Sequence, residues 1–143
     1  MRDEWDEAAG TGKPERLRVL LYSDHPQVRD AVTTGVGVRV AEDLPPLEWM
    51  QVATRDAVVS AVEAGGIDLL VLDGEAGRSG GMGLCRQLKD EVFRCPPVLV
   101  LLGRADDAWL ASWSEADAVV VRPLDPMVLG ETVLGLLRSR TSA

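Results

Sequence analysis

A doubly wound α/β sandwich, with five parallel strands and helices on both faces, is the fold class the sequence predicts, and three observations predict it. Apolar runs alternate with helix-like stretches from Arg18 to Arg140. Three of those runs, at 68–72, 98–102 and 118–121, are nearly uninterrupted Val and Leu, as strands buried on both faces of a parallel sheet require. A length of 143 residues supplies one substantial core and too little chain for two. Alternating strand and helix, with crossovers packing helices on both faces, gives an expected strand order of 2-1-3-4-5.

The elements follow in order. Residues 1–16 are expected to be a disordered leader, since MRDEWDEAAGTGKPE is polar and ends in a Pro-containing stretch, with Trp5 its one sticky residue. The domain proper is placed at 17–140, with a short tail at 141–143. It opens with VLLY (19–22) and the helical QVRDAVTTG, then a loop AEDLPPLE, a second strand in EWMQVAT and the helix RDAVVSAVEAG. DLLVLD (68–73) precedes GMGLCRQLKDEV (81–92), PVLVLLG (97–103) precedes DDAWLASWSEA (106–116), and AVVVRP (118–123) precedes DPMVLGETVLGLLRSR (125–140). Asp106 and Asp125 stand where N-caps belong, the latter followed by Pro126 at the first helical position.

Composition excludes several functions. A net charge of -8 provides no basic face for nucleic acid, because phosphate neutralisation needs one. Cys85 and Cys95 lack metal-ligand spacing and His25 is the single histidine, so a zinc site is not expected. No apolar run approaches the roughly 20 residues that span a bilayer, and the first residues are acidic where a signal peptide wants bases. A cytoplasmic protein without membrane insertion is the expectation.

In a doubly wound sheet, chemistry sits beyond the carboxyl ends of the strands. The residues there are Ser23-Asp24-His25, Asp73 to Gly83, Leu102 to Arg104, and Arg122-Pro123. The stretch VLDGEAGRSGGMG (71–83) delivers Asp73 into a loop with five glycines. A nucleotide-cradling loop would follow the first strand and, in the P-loop form, end in Lys-Ser/Thr; this one follows the third strand and begins with an acid. The glycines are better read as a turn framing a reactive carboxylate. Asp24 and Asp73 end adjacent strands, within reach of one hard cation such as Mg²⁺, which would ease attack by an aspartate on a phosphoryl group. Arg122 is placed across the crevice as an anion clamp, or as a structural ion-pair partner. Solvated strand-end acids, a turn role for His25 and a core role for Cys85 are the plainer readings of the same residues.

Over residues 17–139 the chain resembles the receiver domain of bacterial response regulators, a flavodoxin-like fold. LLYSDHPQVRDAV is similar to that family's first strand and helix, DLLVLDGEAGRSGGMGLCRQL to its phosphoacceptor segment, and RPLDPMVL to its closing Lys-Pro segment. The resemblance implies Asp73 as phosphoacceptor and Gly81 as the loop glycine. It implies a Mg²⁺ site of Asp24, Asp73 and the Glu75 backbone, with Ser23 a weak contributor. The departures are equally specific. Ser23 stands where the family has a second acid, Leu102 where it has a Thr or Ser to bind the phosphoryl group, Arg122 where it has a lysine, and Val119 where it has an aromatic switch. Glu75 and Gly77 replace the usual Met and Pro. Leucine donates no hydrogen bond, so weak Mg²⁺ binding and a degenerate pocket are expected.

These features predict a stand-alone receiver-like protein without an output domain, acting by protein contact and not as an enzyme beyond self-phosphorylation at Asp73. The alternative is a working phosphoacceptor served by a histidine kinase. Trp109 and Trp113, four apart, share a face of the fourth helix, and core packing competes for at least one of them. The last helix reads MVLGETVLGLL, apolar nearly all round, and such a helix calls for a second partner surface. A protein partner or a second copy is expected on the face made by the fourth helix, the fifth strand and the last helix.

Overall fold

The computed structural model describes residues 15–76 and 80–142. Its elements are β1 (Leu17–Tyr22), α1 (Pro26–Val36), β2 (Leu47–Val52), α2 (Arg55–Ala64), β3 (Leu69–Asp73), α3 (Gly80–Glu91), β4 (Val98–Leu102), α4 (Ala108–Ser114), β5 (Ala118–Val121) and α5 (Pro126–Ser142). The five strands form one sheet in the order β2-β1-β3-β4-β5, and every neighbouring pair is parallel. The expected order is the one observed. The expected leader lies, apart from its last two residues, outside the described residues.

Alternation along the strands divides the core in two. Leu20, Leu70, Leu72, Val98, Val100 and Leu102 pack on one face against Val58 and Val62 of α2 and Leu84, Cys85 and Leu88 of α3. Val19, Leu21, Leu69, Val71, Leu99, Leu101 and Val120 pack on the other against Val28 and Val32 of α1 and Leu129, Val133 and Leu137 of α5. β3 and β4 are buried along their whole length, which explains their unbroken Val/Leu composition. Each such side chain contributes about 1.5–3 kcal/mol by leaving water.

Local signals end the elements. Asp125 Oδ1 accepts from the backbone N–H groups of Met127 at 2.8 Å and Val128 at 3.4 Å, so the expected cap of α5 is present. The Thr54 hydroxyl accepts from Ala57 N at 3.2 Å and caps α2. The fourth helix departs from expectation: residues Ala105–Asp107 form a 3-10 turn, and α4 spans only seven residues after it. Val119 and Val121 pair in register with Val100 and Leu102, so they point to the same face, yet this short helix leaves both exposed. α5 is not buried all round either. Leu129, Val133 and Leu137 face the core while Met127 and Val128 face solvent.

Candidate functional site

Three strand ends converge on one carboxylate. Asp73, the last residue of β3, is 0% exposed. Its Oδ2 accepts a hydrogen bond from the Ser23 hydroxyl at 2.8 Å. Its Oδ1 accepts from the Glu75 backbone N–H at 2.9 Å and from Arg122 Nη2 at 3.0 Å. Both oxygens are therefore engaged, and the buried negative charge has a cation beside it, as burial demands.

Each partner is itself held. Ser23 follows β1, and its backbone N–H donates to Val52 O at 3.2 Å. Its hydroxyl oxygen accepts from His25 N at 3.1 Å, and its carbonyl accepts from Arg29 Nη1 at 2.5 Å. Arg122 follows β5; its backbone N–H donates to Leu102 O at 2.9 Å, and the Arg122–Pro123 peptide is cis. The Arg122 side chain is 32% exposed, but its Nε is buried and has no hydrogen-bond partner among the described residues. Arg122 thus turns onto Asp73, an orientation its sequence position left open.

Asp24, directly after Ser23, has a second neighbour in His25. Its side chain is well exposed, with Oδ1 3.6 Å from His25 Nε2. Leu102 is fully buried in the α2/α3 side of the core and presents no polar atom to Asp73. Glu75 is exposed, and a Cβ added at Gly103 would stand 2.9 Å from its carboxyl carbon, so this acid lies over the turn after β4. Among the described residues no three His, Cys, Asp or Glu side chains converge as a metal cluster.

Gly81 has a steric role. A Cβ there would come within 2.5 Å of the Asp73 carbonyl oxygen, so only glycine lets α3 start against the end of β3. The loop frames the carboxylate, and part of it, residues 77–79, lies outside the described residues.

Tyr22 and Arg55 also belong to the neighbourhood. Burial pushes the Tyr22 phenol up from its usual value, the charge of Asp24 raises it further, Arg55 opposes the rise and Asp73 adds to it. Arg55, which opens α2, also donates to the side chain of Gln87. The strand-end rule reaches Arg55 when applied to β2, the one strand whose carboxyl end the sequence reading passed over. Arg29, one turn into α1, carried no such signal.

The two tryptophans of α4 are both at the surface, Trp109 at 68% and Trp113 at 49% exposure, so core packing claims neither. Trp113 is restrained: the Arg86 guanidinium stands 5.1 Å from its ring centroid and donates to its carbonyl at 2.7 Å. Cys85 is buried and donates to Ser114 O at 3.3 Å. Burial pushes its thiol up to about 11, which suits a core residue and not a nucleophile.

Among the described residues no helix is long and apolar enough to cross a membrane. No family model matches the chain. Proteins described as uncharacterized response regulatory proteins, from two strains of Mycobacterium tuberculosis, are 56% identical to it over 123 residues, covering 86% of this chain and 92% of theirs. The signal receiver domain of an HD domain-containing protein from Pseudomonas fluorescens superposes with a TM-score of 0.77 at 13% identity, over 92% of this chain and 93% of that one. The response regulator TrrA from Thermotoga maritima, solved in complex with Mg²⁺-BeF, gives a TM-score of 0.69 at 22% identity, over 85% of this chain and 99% of that one. The structural likenesses fix the fold and the sequence identity fixes the kinship: the chain belongs to the response regulators of two-component signalling, and its fold is that of their receiver domain.

Proposed function

We propose that this receiver works as a protein-contact module in the cytoplasm, with a phosphorylation pocket that is closed on itself. The observation that carries the reading is the 3.0 Å ion pair between Arg122 and Asp73. A carboxylate that attacks phosphorus needs a free lone pair and a cation able to neutralise the incoming phosphoryl oxygens. Here three of the roughly four lone-pair sites of the carboxylate already accept from Ser23, Glu75 N and Arg122, and the cation is a planar guanidinium bound to the nucleophile itself.

The residues fit Mg²⁺ poorly. A Mg²⁺ ion is usually held by one or two carboxylates with oxygen ligands in octahedral array; Asp73 already accepts three hydrogen bonds, one of them from a cation that would repel Mg²⁺, and Asp24 is partly exposed beside His25. With the phosphoryl hydroxyl replaced by the buried Leu102, contact would run through the apolar side chains exposed on α4, β5 and α5, namely Trp109, Trp113, Val119, Val121, Met127 and Val128. They suit a protein partner or a second copy.

A second reading, phosphoacceptance at Asp73 from a histidine kinase with Arg122 in the lysine's role, is favoured by one atom. The buried Arg122 Nε lacks an acceptor among the described residues, and a phosphoryl oxygen would supply one. Exposure to acetyl phosphate with Mg²⁺, followed by intact mass, separates the two. The closed pocket predicts an essentially unmodified chain; rapid stoichiometric labelling lost in Asp73→Asn would establish the phosphoacceptor.

A further inference from the structure

At the opposite end of the sheet, where β4 and β5 begin, a cleft of about 530 Å³ opens between the chain following α3 and the last turns of α5. Its walls include Lys89, Arg94 and Arg140, with Asp117 the single acid. Three cations against one acid leave the lining positive, in a chain whose net charge is -8. Such a concentration of one sign within a concave surface focuses field on an incoming anion.

The cations are not equally committed. Lys89 Nζ is bound to Asp117 Oδ2 at 2.6 Å, and that oxygen also accepts from Val98 N at 2.7 Å, so this pair is satisfied within the floor of the cleft. Arg140 Nε is only loosely associated with Asp68, at 3.8 Å. Arg94 has no carboxylate partner among the described residues; its guanidinium stands 5.4 Å from the centroid of the highly exposed Phe93 ring. Arg94 also holds a backbone φ of 58°, a conformation that a non-glycine residue adopts at a cost. The rest of the wall is softer: Leu136 and Cys95, the latter's half-buried thiol held neutral by burial and behaving as a small apolar group.

We propose that this cleft binds a small organic phosphate, a monoester whose dianionic head is gripped by the Arg94 and Arg140 guanidiniums and whose apolar body lies against Leu136 and Cys95. Guanidinium forks match phosphate oxygens in pairs, and Arg94 together with an Arg140 held only at 3.8 Å by Asp68 matches a dianion. The site is separate from Asp73, which ends the central strand β3 at the other end of the sheet. It therefore stands whether or not Asp73 takes a phosphoryl group. By joining the ends of α3 and α5, a bound phosphate would give this receiver an input that bypasses Asp73.

The experiment is a ¹H–¹⁵N titration of the full chain with phenyl phosphate, with inorganic phosphate and benzyl alcohol supplying the two halves of the ligand separately. Saturable shifts centred on Arg94, Cys95, Asp117 and Arg140 are expected, with protection of Cys95 from iodoacetamide. Phenyl phosphate should bind more tightly than either half. Arg94→Gln and Arg140→Gln should each weaken binding about tenfold, the loss of one charge-assisted contact. Arg138→Gln, whose side chain pairs with Asp43 at 2.7 Å outside the cleft, should leave binding unchanged. Arg94 lies in a surface loop, so its variant keeps the test valid should Arg140→Gln prove poorly folded. Absence of saturable shifts, shifts centred on Ser23 and Asp73, or undiminished binding by Arg94→Gln would overturn the proposal.

Discussion

The Ser23 hydroxyl and the Asp73 carboxylate meet at 2.8 Å across adjacent strands β1 and β3, both side chains fully buried. A hydroxyl is neutral, so this contact adds no negative charge to the strand ends and asks for no metal to hold them together. Arg122 completes the neutralisation from β5 at 3.0 Å.

Replacing Ser23 by Asp should disturb that balance in a way Mg²⁺ repairs. Two buried carboxylates in contact repel and raise each other's proton affinity, so Ser23→Asp is expected to melt lower than wild type in EDTA. Anything that binds only the folded state stabilises it; millimolar Mg²⁺ should therefore lift the variant's melting temperature while leaving wild type nearly unmoved. Adding Arg122→Lys and Leu102→Thr to that variant should increase labelling by acetyl phosphate. An equal Mg²⁺ shift in both proteins would contradict the closed pocket.

Removing the guanidinium should strand the buried acid. Arg122→Met is expected to cost about 2–4 kcal/mol in urea unfolding, below the upper end for a buried pair because Arg122 is partly exposed. Asp73→Asn combined with Arg122→Met should cost less than the sum of the two single changes, since the residues share one interaction. Strict additivity would mean the ion pair contributes nothing.

Two glycine substitutions should act in opposite directions. Gly81→Ala forces a Cβ to 2.5 Å from Asp73 O and is expected to destabilise by about 1–3 kcal/mol as overpacking does. Gly130→Ala, within α5 and with nothing within 4 Å of the added Cβ, should stabilise by about 0.5–1 kcal/mol through helix propensity and reduced unfolded-state entropy. Thermal or urea denaturation of both variants decides the signs.

Alkaline stability should depend on Cys85. Its thiol is raised from 9.0 to about 11 by burial, so between those values the unfolded chain releases a proton that the folded chain keeps. Stability therefore falls as pH rises through that window, and the raised Tyr22 phenol adds to the loss above its usual 10.0. Cys85→Ala should be less stable at neutral pH but show a shallower decline above pH 9. A parallel decline in both proteins would remove Cys85 as the cause.

Partner capture should follow the tryptophans and not the pocket. Trp109→Ala is expected to weaken self-association or partner binding by tens-fold, since a buried interface Trp commonly carries about 2 kcal/mol or more. Trp113→Ala should have a smaller effect, because Arg86 already covers part of its ring. Asp73→Asn should leave association nearly unchanged. Sedimentation or pull-down of the set would reverse this view if the Asn variant alone lost binding.

The sheet was legible because β3 and β4 must be apolar on both faces, and only long Val/Leu runs satisfy that. Asp73 and Arg122 were legible as site residues because each directly follows or ends such a run. The direction of Arg122 was not, since its long side chain reaches either solvent or Asp73 from the same backbone position. Nor was the fate of Trp109 and Trp113: an i, i+4 pair reports a shared face but not which face. That depended on α4 being cut to seven residues by the 3-10 turn before it, and nothing in DDAWLASWSEA announces the break.

The exposed indoles of α4 also give back light that reports on their surroundings. Trp109 and Trp113 sit in water on α4, and Trp49, on β2, donates its Nε1–H to Gly37 O at 2.8 Å; none of the three ends a strand beside Asp73. Emission from Trp109 and Trp113 should shift to the blue when the α4 surface is covered. The colour of these two indoles is a gauge of company kept.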